Sequence, residues 1–240
     1  MALDFFNARE TLAVETKASP QDVVSRADRE VEAFIRARVS ADFPGDGFLG
    51  EEGGAQGGSS GFTWVIDPID GTTPFLSGLP HWCVAISVLE GSVTRAAATY
   101  VPCADEMFTA LAGGGAALNG VPLRIAADKP ITGGMTAIGA SHRTSPAHVA
   151  GVISGLMARG GIFYRNGSGA NMIASVAAGR LVGYYEPHMH PWDCLGGLLM
   201  VSEAGGMTLP FGSPDDMDAG GRVLVGAPGA WADLLAIVGP

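Results

Sequence analysis

Cysteine is scarce in this chain, with Cys83, Cys103 and Cys194 spread over 240 residues. Three such residues supply neither a disulfide framework nor a zinc-ligand spacing, so a reducing, cytoplasmic location is the simpler expectation. Basic residues are few as well: 14 Lys and Arg stand against 24 Asp and Glu, a formal net charge of −10. That balance argues against a nucleic-acid polymer as the main partner, since phosphate backbones require basic stripes. A small anionic substrate stays open, because bound cations reverse a local field. No apolar run approaches the length that spans a bilayer, so no membrane partner is expected. Residues 1–20 contain Asp4, Arg9, Glu10, Glu15 and Lys17, and no signal peptide is visible. Charged residues make up 16% and hydrophobic residues 47%, which describes a packed globule of one large or two small domains.

What the chain does contain is one dense stretch, Trp64-Val65-Ile66-Asp67-Pro68-Ile69-Asp70-Gly71-Thr72-Thr73. The apolar residues from Phe62 read as a buried strand. Pro68 fixes its own φ and holds Asp67 extended, so the chain is expected to turn sharply there and bring Asp67 and Asp70 to one point. Gly71, Thr72 and Thr73 then open a helix whose free N–H groups form an anion site. Carboxylates beside an anion site call for cations between them, which points to a metal-bridged phosphate site. Alone, the motif also fits an Asp-Gly turn with a helix cap.

Periodicity predicts helices over residues 3–16 and 21–41, the second carrying Val24, Ala27, Val31, Phe34, Ile35 and Val39 at helical spacing. Asp28 within it reads as an exposed helix charge. Phe48-Leu49 reads as a short strand leading to Gly50-Glu51-Glu52, and residues 53–61 as a flexible Gly/Ser loop. Strands are predicted over 81–89, 93–101 and 106–111, followed by an Asn119-Gly120 hairpin returning through 123–125. This is an antiparallel meander. A connector at 128–134 divides the chain into an N-terminal α+β half, 1–130, and a C-terminal half, 131–240, where strands and helices alternate. Within the second half, strands are predicted over 135–139, 162–165, 181–185, 207–209 and 222–226. Helices are predicted over 146–159, 170–178, 192–204 and 231–238. Residues 214–221, with Asp215, Asp216 and Asp218, read as an exposed acidic loop without the ligand order of an EF-hand.

The second informative stretch is Tyr184-Tyr185-Glu186-Pro187-His188-Met189-His190-Pro191-Trp192-Asp193. Asp193 opens an apolar helix, where an N-cap is the structural alternative. His188 and His190 could form a metal pair, although a pair two apart in a loop is more often surface or packing. Gly167-Ser168-Gly169 opens the preceding helix and offers further backbone N–H groups.

Taken together, these motifs resemble the inositol monophosphatase family of metal-dependent phosphomonoesterases. The Trp64–Thr73 stretch is similar to its first signature, and Trp192-Asp193 with Ser202-Glu203-Ala204-Gly205-Gly206 to its second. Gly50-Glu51-Glu52, and Asp22-Val23-Val24-Ser25 with Asp28, stand in the expected order upstream. The resemblance implies a layered αβαβα sandwich, α+β and α/β in class, with the site between its halves. It implies that Glu51, Asp67, Asp70, Asp193 and the Ile69 carbonyl hold two or three Mg2+ ions. Thr72, bonded to Asp28, would orient a metal-bound water together with Glu51. Gly71 and Thr72 would bind phosphate beside Asp70 and Asp193. Ser168, Gly169 and Glu186 would meet the organic part of a small phosphorylated metabolite. Homodimers and lithium inhibition are also implied.

One departure stands out: where the family pattern continues with Asn-Phe, this chain has Pro74-Phe75. The substrate expected is inositol 1-phosphate, with histidinol phosphate, fructose 1,6-bisphosphate and phosphoadenosine phosphate as alternatives. Arg143, Arg165 and Arg180 are the candidate partners of a second phosphate. A non-catalytic metal- or phosphate-binding regulator is the alternative of another class.

Overall fold

Two large sheets organise residues 1–12, 14–16, 23–212 and 219–239, which the computed structural model describes. Helix α1 (Ala2–Asn7) passes through a 3-10 turn at Arg9–Thr11 into β1 (Val14–Thr16), which pairs antiparallel with β2 (Val23–Ser25). Next come α2 (Arg26–Asp42), β3 (Gly47–Gly50), β4 (Gly54–Gln56), β5 (Phe62–Asp70) and the short α3 (Thr72–Leu76). The meander β6 (Cys83–Glu90), β7 (Val93–Val101), β8 (Glu106–Leu111), β9 (Gly115–Leu118) and β10 (Val121–Pro122) completes an eight-stranded sheet. Its order is β10-β9-β8-β7-β6-β5-β3-β4, and only β3 and β5 pair parallel.

The second half runs β11 (Met135–Ile138), α4 (Pro146–Ala158), β12 (Ile162–Tyr164), α5 (Gly169–Ala177), β13 (Gly183–Met189) and α6 (Pro191–Glu203). It ends with β14 (Met207–Thr208), β15 (Gly221–Gly226) and α7 (Trp231–Val238). Its five-stranded sheet has the order β12-β11-β13-β15-β14. Helix α2 covers β3 and β5 through Val39, Phe48 and Ile66. Helices α5 and α6 lie between the sheets, where Phe108, Ile173, Met200, Tyr184 and Val225 share one core. Helices α4 and α7 close the far side over Ile138, Leu156, Leu224 and Leu234. The layers are therefore α, β, α, β, α. The Gly196-Gly197 pair explains how α6 sits so close: added Cβ atoms would lie 3.3 Å from Ala97 Cβ and 2.9 Å from Ile173 Cβ.

Several expectations change. The helix predicted over 3–16 stops at Asn7, and the chain from Val14 pairs as a strand with Val23–Ser25. The second helix starts at Arg26, because Ser25 caps it by accepting the Ala27 N–H at 3.1 Å. Part of the predicted Gly/Ser loop is β4, paired with β3. The hairpin returns at Val121–Pro122 rather than at 123–125, with Asn119 (φ 48°) and Gly120 (φ 79°) supplying the two positive φ angles of its turn. Residues 17–22, with Asp22 among them, and residues 214–218 of the acidic loop lie outside the described residues.

Candidate active site

The site begins with an irregularity in β5. In a regular strand, residues three apart point to opposite faces. Here Asp67 faces Ala85 and Asp70 faces Cys83, so three steps on β5 match two on β6. The extra residue is a β-bulge at Pro68-Ile69, and it turns both carboxylates to the same side. The strand does not end at Pro68 as the sequence predicts; it bulges and continues to Asp70. Gly71 then takes φ 90°, ψ 46°, a conformation that side chains rarely adopt. An added Cβ would also lie 2.9 Å from Ser168 Cβ and 3.2 Å from the His81 carbonyl. Gly71→Ala is therefore expected to destabilise the protein by about 1–3 kcal/mol, read as a lower Tm.

Parallel pairing of β3 and β5 places Glu51 beside Asp67. Gly50 is registered with Ile66, and the Glu51 N–H donates to the Ile66 carbonyl at 3.2 Å. The turn after Glu51 is held from below by Glu32, a buried carboxylate on α2. It accepts the N–H groups of Glu52 (2.8 Å) and Gly53 (2.9 Å) and an Arg36 Nε bond (2.7 Å). Asp193 enters from the first turn of α6, where its Oδ2 accepts the His190 N–H at 3.0 Å. One oxygen each from Asp67, Asp70 and Asp193 lies within 4.8 Å of the others.

Such crowding is costly without a counter-charge. Burial, then Glu51, Asp70 and Asp193, push the Asp67 carboxyl well above its ordinary range. Burial, then Asp70 and Glu51, do the same to Asp193. Burial also raises Asp70, opposed by the hydrogen bonds it accepts. Those bonds come from the start of α5: the Ser168 hydroxyl, the Ala170 N–H at 2.8 Å and the Gly169 N–H at 3.3 Å. Of the backbone N–H groups of the Gly167-Ser168-Gly169 motif, Gly169's meets Asp70 whereas Ser168's meets Asn166 Oδ1 at 2.9 Å, and Ser168 is fully buried.

Asp28, expected as an exposed helix charge, is buried. It accepts the Ser25 N–H and hydroxyl, each at 2.8 Å, and faces the Thr72 hydroxyl at 3.2 Å. Thr72 Oγ1 also lies 3.3 Å from the Ile69 carbonyl, while the Ile69 N–H donates to Asp67 Oδ1 at 3.0 Å. Pro74, in the first turn of α3, costs that helix no internal bond, because N–H groups there have no intrahelical partner. Glu186, on β13 rather than in a loop, accepts the buried Tyr184 hydroxyl, and burial raises its pKa to about 7. A cavity of about 120 Å³ lies between Asp70, Asp193, Glu186 and Arg165.

The sequence pattern of the Inositol monophosphatase family matches residues 3–238. The chain belongs to that family. It is 36% identical over 229 residues to the Inositol-1-monophosphatase of Rhizobium meliloti (strain 1021), spanning 91% of this chain and 81% of that one. It is 39% identical over 215 residues to the Nus factor SuhB of Xylella fastidiosa (strain Temecula1 / ATCC 700964), spanning 89% and 78%. The crystal structure of the extragenic suppressor protein suhB from Bartonella henselae matches with a TM-score of 0.91 at 32% identity, over 99% of this chain and 92% of that one. Membership makes the chain a phosphatase with a small phosphorylated substrate. No helix among the described residues is long and apolar enough to cross a membrane.

The inositol monophosphatase family uses metal ions, and the residues present fit one. All three clustered donors are carboxylate oxygens, the set that hard cations such as magnesium prefer. Neither histidine of the His188/His190 pair belongs to the cluster: His188 Nε2 meets the Ala219 carbonyl, and His190 Nε2 meets Arg143. Sequence reasoning missed Glu32, Tyr184 and Cys83, whose thiol donates to Asp70 Oδ2 at 3.6 Å. Tyr184 was within reach, since residues two apart on a strand share a face.

Proposed function

We propose that the chain is a magnesium-dependent phosphomonoesterase acting on inositol 1-phosphate or a closely similar polyol phosphate. The observation that carries this reading is the Asp67/Asp70/Asp193 cluster, with Asp67 and Asp70 buried and Asp193 half-buried, whose charges a cation would relieve. Glu51, Asp67, Asp70, Asp193 and the Ile69 carbonyl would hold two or three Mg2+ ions. When bound, these ions neutralise phosphate oxygens, lower the pKa of water and align the attacking and leaving oxygens.

The remaining roles belong to the chain. The Thr72 hydroxyl has one proton, directed at Asp28 or at the Ile69 carbonyl. Its lone pairs therefore accept a hydrogen from the attacking water and aim the water oxygen at phosphorus. Glu51 takes that water's other proton as the new P–O bond forms. The ester P–O bond breaks on the opposite side, the alcohol oxygen leaves and takes a proton from solvent, Glu51 returns its proton to solvent, and the products are inorganic phosphate and the free alcohol. Gly71 and Thr72 hold the phosphate beside Asp70 and Asp193. Glu186 accepts a hydrogen bond from a hydroxyl of the leaving alcohol, and a polyol there accords with the name Inositol-1-monophosphatase of the Rhizobium relative. Ser168 and Gly169 border this contact and hold Asp70. A cytoplasmic homodimer inhibited by lithium completes the proposal.

Phosphate release should be compared over inositol 1-phosphate, fructose 1,6-bisphosphate, histidinol phosphate and phosphoadenosine phosphate, with magnesium and with a chelator. Magnesium-dependent release led by the polyol esters is expected. Equal release in the chelator would remove the metal from the reading, and histidinol phosphate as the leading substrate would remove the polyol.

A further inference from the structure

Residues two apart on a strand share a face, and β13 thereby sets Tyr184 behind Glu186. Tyr184 is fully buried in the core between the sheets, and its hydroxyl donates to Glu186 Oε2. Glu186 is half-buried and lines the chamber with Asp70 and Asp193, whereas Tyr184 is not among the residues that line it. A ligand in the chamber therefore meets the carboxylate and not the phenol. Two glycines enclose the pair. A Cβ added to Gly139 would lie 2.7 Å from the Tyr184 hydroxyl oxygen and closer still to Glu186 Oε2. One added to Gly169 would lie 3.2 Å from the same hydroxyl. Backbone thus packs on the pair from β11 and from the start of α5.

The bond from Tyr184 is the one hydrogen bond that Glu186 makes among the described residues. No arginine orients this carboxylate. Arg165 donates to the Ala140 carbonyl at 3.0 Å, Arg143 faces His190 at 3.3 Å, and Arg180 is held by both oxygens of Glu106 at 2.6 Å. Fixing a glutamate side chain costs rotamer entropy, and a bond at Oε2 meets that cost before a substrate arrives. Anchoring Oε2 leaves Oε1 to accept from a ligand. Burial raises the Glu186 pKa to about 7 and the Tyr184 bond opposes that rise. The same bond thus favours the ionised carboxylate, the form that only accepts.

We propose that Tyr184 is a positioning residue that holds Glu186 ready for a hydroxyl of the leaving alcohol and so sets a preference for polyol phosphates over plain alkyl phosphates. This inference rests on the phosphatase reading and the Glu186 contact above, and adds the residue that makes the contact selective. Inositol 1-phosphate and cyclohexyl phosphate test it as a matched pair, since both carry a six-membered ring and only the first carries free hydroxyls. The readout is the ratio of their kcat/KM values, in which any loss of folded or metal-loaded protein cancels. Tyr184→Phe removes one oxygen and keeps the ring. It is expected to lower the ratio about 10-fold, the scale of a hydrogen bond to a charged group, chiefly through the KM for inositol 1-phosphate. Glu186→Ala should lower the ratio at least as far, and adding Tyr184→Phe to Glu186→Ala should change it no further. A ratio unchanged in Tyr184→Phe but lowered in Glu186→Ala overturns the inference and leaves the Glu186 contact standing. A further fall in the double variant also overturns it, because Tyr184 then acts by a route other than Glu186. A ratio unchanged in Glu186→Ala removes the contact and the inference together, and absence of release from any ester removes the phosphatase reading as well.

Discussion

Asp67→Asn is expected to abolish phosphate release and, at the same time, to make the metal-free protein more stable. The two effects share one cause. Asp67 is buried against Glu51, Asp70 and Asp193, and its ionised form is penalised by burial and by all three. Asparagine keeps an oxygen for the Ile69 N–H, which Asp67 accepts at 3.0 Å, and removes the charge. Metal-free Tm should rise by a few degrees, since ~1 kcal/mol corresponds to ~2–4 °C in a chain of this size, with the larger gain at higher pH. Activity should fall by at least ~100-fold, because even outer partners of metal ligands typically cost ~10–100-fold. Asp70→Asn makes an instructive contrast. Its carboxylate accepts from Ser168, Gly169 and Ala170, and an amide NH2 would face donors there, so that variant should lose stability as well as activity. An active Asp67→Asn protein, or one with a lower metal-free Tm, would contradict the role assigned to Asp67.

Stability of the metal-free protein should fall as pH rises, and magnesium should reverse the trend. The sign follows from the direction of the shifts. Asp67 and Asp193 are raised well above 3.8, and Glu186 is raised from 4.5 to about 7. A carboxyl with a raised folded pKa binds its proton more tightly in the folded state. Its contribution is therefore complete below the unfolded pKa and is lost as pH climbs through the folded one. For Glu186 that window runs from 4.5 to about 7; for Asp67 and Asp193 it opens near 3.8 and extends well upward. In a chelator, Tm should thus be lower at about pH 8 than at about pH 5. Magnesium at about 100 times its Kd adds about 2.7 kcal/mol to the folded state, roughly 5–10 °C at this size. That gain should be greatest at the higher pH, where the carboxylates are ionised. A metal-free Tm that rises across this interval, or no shift with magnesium, would count against a preformed cation site.

Much of the site was legible in the sequence because its chemistry is dense. Two aspartates three apart before Gly-Thr-Thr, a Glu-Glu after a short strand and a Trp-Asp before an apolar helix resemble the signatures of the inositol monophosphatase family, and that resemblance implied a carboxylate cluster. Asp67, Asp70 and Asp193 meet as that reading requires. The means of convergence was not legible. Pro68 announces an interruption, but whether the strand ends or bulges depends on its register with β6, which lies outside the motif. Glu32 was invisible for a related reason: a glutamate on a helix looks solvated until the turn it supports is seen to pack on it. Gly167-Ser168-Gly169 supplies the Ser168 hydroxyl and the Gly169 N–H, yet their acceptor, Asp70, lies about a hundred residues upstream. The first helix was overextended because Leu12 and Val14 fit a helical stripe, whereas β1 exists through pairing with β2. Local pattern registers amphipathicity; it does not register the partner strand.

The most direct test of the cation cluster is a crystal of the protein soaked in manganese, an oxygen-preferring stand-in for magnesium with a usable anomalous signal. The expected result is an anomalous peak bonded to carboxylate oxygens of Asp67, Asp70 and Asp193, with Glu51 within reach of the same ions. Manganese bound elsewhere on the protein, with no peak between those three carboxylates, would contradict it.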